Sequence, residues 1–124
     1  MDLTSSVTVC LQKYATFTGR ASRSEYWWFT LVITIVTFLF SLIDVLIFSG
    51  LVADIELLST LFSIATLLPS IAVSVRRLHD TDRTGWWLLL MFVPVIGWLV
   101  LIYFHVLKGT VGDNEYGHET TVDI

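Results

Sequence analysis

Charge is scarce in this chain, and positive charge scarcer still: there are seven Lys and Arg in 124 residues, none of them within residues 26–49, 55–75 or 86–107. Each gap also holds at most one acidic side chain. About 20 apolar residues rising 1.5 Å each cross a hydrocarbon core of about 30 Å, so every gap is long enough to span a bilayer. A soluble domain with 55% hydrophobic and 15% charged residues would lack the polar side chains to cover its surface, and the mean hydropathy of +0.76 agrees. Cysteine occurs once, as Cys10, which excludes an intrachain disulfide. Without a CxxC pair or a Cys/His cluster, no structural metal and no cofactor is expected. The first 25 residues contain no apolar h-region, so no cleavable signal peptide is expected.

What charge there is marks orientation. Lys and Arg flanks resist translocation, whereas acidic residues count for little. Lys13, Arg20 and Arg23 precede the first gap; Arg76, Arg77 and Arg83 separate the second from the third; the link after the first gap has none, and the tail has only Lys108. The spacing predicts a cytoplasmic N-terminus, three transmembrane helices and an external tail. Pro94 and Gly97 complicate the third gap: they either kink one span or break it into a re-entrant hairpin, which would return the tail to the cytoplasm. Before the first span, Leu3, Val7, Cys10, Leu11, Tyr14 and Phe17 recur at helical spacing, which fits a short helix in the headgroup layer that Gly19 would end. Ser22 or Ser24 can cap the helix that follows.

Within the spans, Thr30, Thr34, Thr37, Ser41 and Asp44 form one helical stripe, and Ser59, Ser63, Thr66, Ser70 and Ser74 form another. Small hydroxylated faces let membrane helices approach closely, so the two stripes are expected to face each other. Asp44 and His105 are ionisable and cost several kcal/mol in lipid unless paired or wet. In the three-span arrangement both lie near the outer interface, where they could pair or simply reach headgroups.

The chemistry gathers at the membrane edge. Residues 19–28 read Gly-Arg-Ala-Ser-Arg-Ser-Glu-Tyr-Trp-Trp, and residues 76–87 read Arg-Arg-Leu-His-Asp-Thr-Asp-Arg-Thr-Gly-Trp-Trp. Indole rings prefer the interface, guanidinium groups fork onto phosphate, and Ser24 or Thr84 can cap the next helix. Arg20, Arg23, Trp27, Trp28, Arg76, Arg77, His79, Asp80, Arg83, Trp86 and Trp87 are therefore the candidate lipid- or partner-binding residues. Anionic headgroups account for all of these types; an ion-pair network joining two cytoplasmic ends, or a site for a phosphorylated ligand, would also use Glu25, His79, Asp80 and Asp82. His79-Asp80 alone does not make a catalytic site, since no nucleophile, metal set or Gly-rich phosphate loop accompanies it.

These two motifs, the 94–98 kink and the tail Gly-Thr-x-Gly-x-Asn-x-Tyr-Gly at 109–117 resemble the bacterial inner-membrane family called domain of unknown function 805, over residues 14–117. Two positions depart from the family pattern: Asp82, where Gly is frequent, and Asp113, where Pro or Glu is common. The resemblance implies a small multi-spanning inner-membrane protein and brings no agreed activity. Its tail motif poses a structural question. Were the Asn114/Tyr116 turn to pack on the two basic motifs, all three would share one side, which a third full span forbids.

The sequence thus predicts one all-α integral membrane domain: an interfacial leader over residues 1–25, transmembrane helices at 26–49, 55–75 and 86–107, and a polar tail at 108–124. The leading expectation is a non-enzymatic structural or partner-binding subunit of the bacterial inner membrane. Its expected contacts are anionic lipid, a membrane partner or a second copy, and no nucleic acid. A small transporter or channel component using Asp44 and His105 is the second reading. A sensor or enzyme acting on a phosphorylated or lipid ligand is the third.

Overall fold

A computed structural model describes residues 2–47 and 57–117. The expected far ends of the first two spans, the link between them and the last seven residues lie outside the described residues. Within the described residues, four α-helices and one 3-10 helix follow in order: α1 (Leu3–Gln12), α2 (Arg23–Ile47), α3 (Leu57–Asp80), the 3-10 helix Gly85–Phe92, and α4 (Ile96–Val106). Among the described residues there is no strand, only an isolated bridge between Asn114 and Gly117.

α2 and α3 are the two long apolar helices, at 25 and 24 residues, or about 36 Å each. Ser22 caps α2: its hydroxyl accepts from the Glu25 amide at 3.2 Å. α3 runs past the expected boundary at 75 to Asp80, because the charges of Arg76, Arg77 and Asp80 turn inward rather than ending the helix. It stops where Asp82 takes the left-handed conformation, φ 62°. That is the position at which the family pattern prefers Gly, which reaches this conformation without a Cβ clash.

α1 forms as its spacing predicts and packs on the rest of the chain through Ser6 and Cys10. The Asp2 carboxylate caps it by accepting from the Ser5 amide at 2.8 Å, a bond that holds the Asp2 pKa below its usual value. It ends at Gln12, well before Gly19. Ser6 and Cys10 are buried against the start of α2, where the Ser6 hydroxyl reaches the Ser24 carbonyl, while Leu3, Leu11, Tyr14 and Phe17 stay exposed. A small core of Cys10, Ala21, Phe29 and Val73 therefore sits where α1, the start of α2 and the end of α3 meet. From just beyond α1, the Tyr14 hydroxyl donates to the Ala65 carbonyl of α3.

The third gap is not one helix, and the expectation of a third full span is corrected here. The 3-10 arm and α4 run antiparallel as a hairpin: Trp87 and Phe104 meet edge to face at 5.5 Å, and Arg83 lies 4.2 Å over the Phe104 ring. At the tip, a Cβ on Gly97 would collide with the Leu90 carbonyl, so glycine is required for the arms to close. Pro94 explains the break. It has no N–H to give to the Leu90 carbonyl, which accepts from Val93 N at 3.0 Å instead. Val95 then adopts φ 65°, ψ −67°, and Ile96 N donates to Pro94 O at 2.8 Å, a γ-turn of the rare positive-φ form. Trp98 Nε1 satisfies the Met91 carbonyl at 2.8 Å. Eight residues of 3-10 helix and eleven of α4 each reach about 16 Å, roughly half a hydrocarbon core. Thr84 stands at the start of the first arm but makes no capping bond.

The hydroxyl stripes meet at their ends. Asp44 accepts from the Leu58 and Ser59 amides, both at 2.9 Å, and so caps the start of α3. At the other end the Tyr26 hydroxyl meets Thr30 and Ser74. Between them Thr34 and Ser63 are exposed, and Thr34 and Thr66 bond carbonyls of their own helices.

Candidate functional site: the arginine cluster at the end of α3

The last turn of α3 is where the leader, the hairpin and the tail converge. An α-helix leaves its final four carbonyls without intrahelical donors. Here two of the four are met from elsewhere in the chain: Asn114 Nδ2 donates to His79 O at 2.9 Å and Thr110 N to Asp80 O at 2.7 Å, while just before them Ala21 N donates to Arg76 O at 3.0 Å. The tail is thus tied to both basic motifs. The expected external tail is corrected by this contact: residues 109–117 lie on the same side as Arg20 and Arg77.

Asp80, 1% exposed, is the centre of the cluster. Its Oδ1 accepts from Arg20 Nε at 2.8 Å and its Oδ2 from Arg77 Nη1 at 2.5 Å. Arg20 spends its remaining donors on the tail, reaching Thr110 O at 2.6 Å and Gly112 O at 2.7 Å. Arg77 donates to Ala21 O, to His105 O at 3.2 Å and to Leu107 O, and so neutralises the carbonyl end of α4. A Cβ on Gly109 would strike the Asp80 carboxylate, which fixes glycine where the chain leaves the hairpin for the tail.

A second ion pair lies one layer inward. Arg76 is fully buried and its Nη1 bonds the Glu25 carboxylate, while its Nε and Nη2 find no hydrogen-bond partner. Cys10 sits against the same carboxylate at 3.9 Å. Burial, reinforced by the Glu25 charge, pushes its thiol up to about 12. Three guanidinium groups thus share two carboxylates, with backbone carbonyls as the further acceptors of Arg20 and Arg77.

His79 and Tyr116 close the outer edge. Their rings stack at 4.1 Å, and His79 Nδ1–H donates to Gly19 O at 2.9 Å. Burial, then the charges of Glu115 and Asp82, raise the Tyr116 phenol above its ordinary pKa. The Asn114 side chain accepts from Tyr116 N at 2.8 Å, which makes an Asx turn.

Of the residues singled out by sequence, Arg20, Arg76, Arg77, His79 and Asp80 are brought together and face inward. The others line the rim. Trp27 Nε1 donates to His105 O at 3.1 Å, and Arg23 reaches toward Val106 O at 3.5 Å. Trp28, Trp86 and Trp87 are exposed, Trp86 most of all at 77%. Asp44 and His105 do not pair. His105 lies beside Trp27 and Arg77, whereas Asp44 is 17 residues further along α2, about 26 Å away along the helix axis. Sequence reasoning missed Tyr14 and Ser6, which carry no periodic signal for their partners. It also missed Thr110 and the tail carbonyls, which act through the backbone. Among the described residues, no three His, Cys, Asp or Glu side chains converge as a metal would need.

Comparison with known proteins agrees with the motifs. The family described as Protein of unknown function (DUF805) matches residues 14–118, and this chain belongs to it. "Inner membrane protein YhaI" of Escherichia coli K12 is 50% identical over 109 residues, covering 88% of this chain and 89% of the relative. "Inner membrane protein YhaH" of the same strain is 43% identical over 113 residues, covering 91% and 93%. "Uncharacterized protein YiiR" is 32% identical, covering 84% and 85%. No solved structure matches. The chain is a membrane protein with inner-membrane relatives.

Proposed function

We propose, from its membership of this inner-membrane family, that the chain is a non-enzymatic, multi-pass structural or partner-binding subunit, with two spans, a re-entrant hairpin and both ends in the cytoplasm. The single observation that carries the reading is the closure of the Asp80 cluster: Arg20 and Arg77 are spent on Asp80 and on backbone carbonyls of the leader, α4 and the tail, which supports a locked cap rather than an open anion site. Orientation follows from charge, because the basic residues flank the end where leader and tail meet and the link between α2 and α3 has no Lys or Arg. Contact with anionic headgroups then falls to Arg23 and Arg83 at the rim, beside Trp28, Trp86 and Trp87. The two spans bury little of their surface within the chain, which favours a second copy or a membrane partner alongside.

Reporters fused to each terminus test the orientation: both should be active in the cytoplasm, and a periplasmic signal from either overturns it. For the contact surface, Arg23→Ala with Arg83→Ala should reduce phosphatidylglycerol retained in mild detergent several-fold and leave the fold intact. Unchanged lipid and an unchanged set of co-purifying proteins would refute the binding role. The transporter reading has less support, since Asp44 serves as the cap of α3 and His105 lies at the opposite end of the bundle.

A further inference from the structure

Two arrangements compete for residues 86–107. As one straight helix they would rise about 33 Å, enough to cross the hydrocarbon core and carry the tail to the far side. Charge along the chain does not forbid this. Beyond Leu107 the tail sets Lys108 alone against Asp113, Glu115, Glu119 and Asp123, and acidic residues barely resist translocation. Nor does the local backbone favour folding back, which holds Val95 at φ 65° and needs glycine at position 97 for the arms to close.

What separates the two arrangements is a set of bonds made in the hairpin alone. Trp27 Nε1 and Arg77 Nε donate to His105 O at 3.1 and 3.2 Å, and Arg77 Nη2 donates to Leu107 O. Thr110 N donates to Asp80 O at 2.7 Å and Asn114 Nδ2 to His79 O at 2.9 Å. Arg20, anchored on Asp80 Oδ1, donates to Thr110 O and Gly112 O. In a straight span, residues 105–114 would lie across the bilayer from Arg20, Arg77 and Asp80, so these bonds would be lost together. Contacts present in only one of two states set how far that state is populated. We infer that the Asp80 cluster is a topological latch: it holds residues 86–107 folded back with the tail beside Arg20, and a chain that cannot close it threads the same segment as a full third span. The inference rests on the two-span reading above, and adds that tertiary bonds rather than charge keep the tail on the cytoplasmic side.

The test fuses a dual reporter after Ile124 of the full chain: a fluorescent protein that matures in the cytoplasm, and alkaline phosphatase, active in the periplasm. The parent should fluoresce and show no phosphatase activity. Two variants leave every basic residue in place. Asp80→Asn removes the carboxylate that Arg20 and Arg77 share, and Gly97→Leu keeps the arms apart. Each should raise phosphatase activity per full-length chain several-fold, with a matching loss of fluorescence. Adding Glu115→Lys and Glu119→Lys to Asp80→Asn should return the tail to the cytoplasm, because lysine resists translocation and a carboxylate does not. Should Asp80→Asn be degraded, Gly97→Leu decides the matter. A cytoplasmic tail in both variants overturns the latch and leaves the two-span reading standing, as does a periplasmic tail that the lysines do not bring back. Loss of both signals in both variants also overturns it, since the chain would then have no second arrangement to adopt. A periplasmic tail in the parent overturns the two-span reading itself, and the latch with it.

Discussion

The Tyr14 hydroxyl donates to the carbonyl of Ala65, the carbonyl that Pro69 leaves without its helical partner. In an α-helix that carbonyl would accept from the amide four residues on, and proline has none. The proline that breaks one bond in α3 thereby creates the attachment point for the chain leaving α1.

Tyr14→Phe should therefore lower stability by about 1 kcal/mol, the net worth of one hydrogen bond. Pro69→Ala restores an amide at that position. In that background Tyr14→Phe should cost much less, and unfolding titrations of all four proteins in micelles measure the difference. Equal costs in both backgrounds would show that the two residues are not coupled.

Asp80→Asn should be far more damaging, because it leaves Arg20 and Arg77 facing each other without their shared carboxylate. Breaking a buried pair by removing one partner costs roughly 3–5 kcal/mol. Here the loss should appear first in the tail, which Arg20 holds through Thr110 and Gly112. Limited proteolysis followed by mass spectrometry should find cleavage near residues 109–117 in the variant and protection in the parent.

Among the described residues, two sit at positive φ without being glycine, Asp82 at 62° and Val95 at 65°. Left-handed backbone costs an L-residue about 1–2 kcal/mol, less for Asp than for a β-branched side chain. Asp82→Gly and Val95→Gly should each raise the midpoint of unfolding, Val95→Gly by the larger step. A lower midpoint for Val95→Gly would mean that its side chain contributes more in lipid than its backbone costs.

Cys10 should be inert to maleimide between pH 7 and 9 and label fully once the protein is denatured. Its folded pKa lies above the ordinary thiol value of 9.0, at about 12. A raised folded pKa means that the native state holds the proton more tightly. The associated stability is complete below about pH 9 and falls as pH climbs toward 12. Mass spectrometry of labelled protein across that range checks both statements.

Much of this arrangement was legible in the chain. The Arg-free gaps marked α2 and α3, Ser22 stood where a cap was needed, and the Gly-preferring position held by Asp82 proved to be a left-handed turn. The Arg-Arg-Leu-His-Asp and Gly-Thr-x-Gly-x-Asn-x-Tyr-Gly motifs marked the segments that meet at the end of α3. Charge did not mark the end of the helix. Arg76, Arg77 and Asp80 continue α3, because ion pairs, and for Arg77 backbone carbonyls as well, stand in for water.

By itself, the sequence determined helices, membrane residence, family and the places where the backbone must turn. These follow from local rules: apolar length against bilayer thickness, the absent N–H of proline, and the desolvation cost of charge. Only the tertiary structure decided that the third gap doubles back, that Asp44 and His105 sit at opposite ends, and which acceptor each arginine takes. Arg20 finds Asp80 sixty residues away and Thr110 ninety away. No pattern along the chain encodes such pairings, since they arise only when packed helices bring unsatisfied donors and carbonyl ends to the same few ångströms.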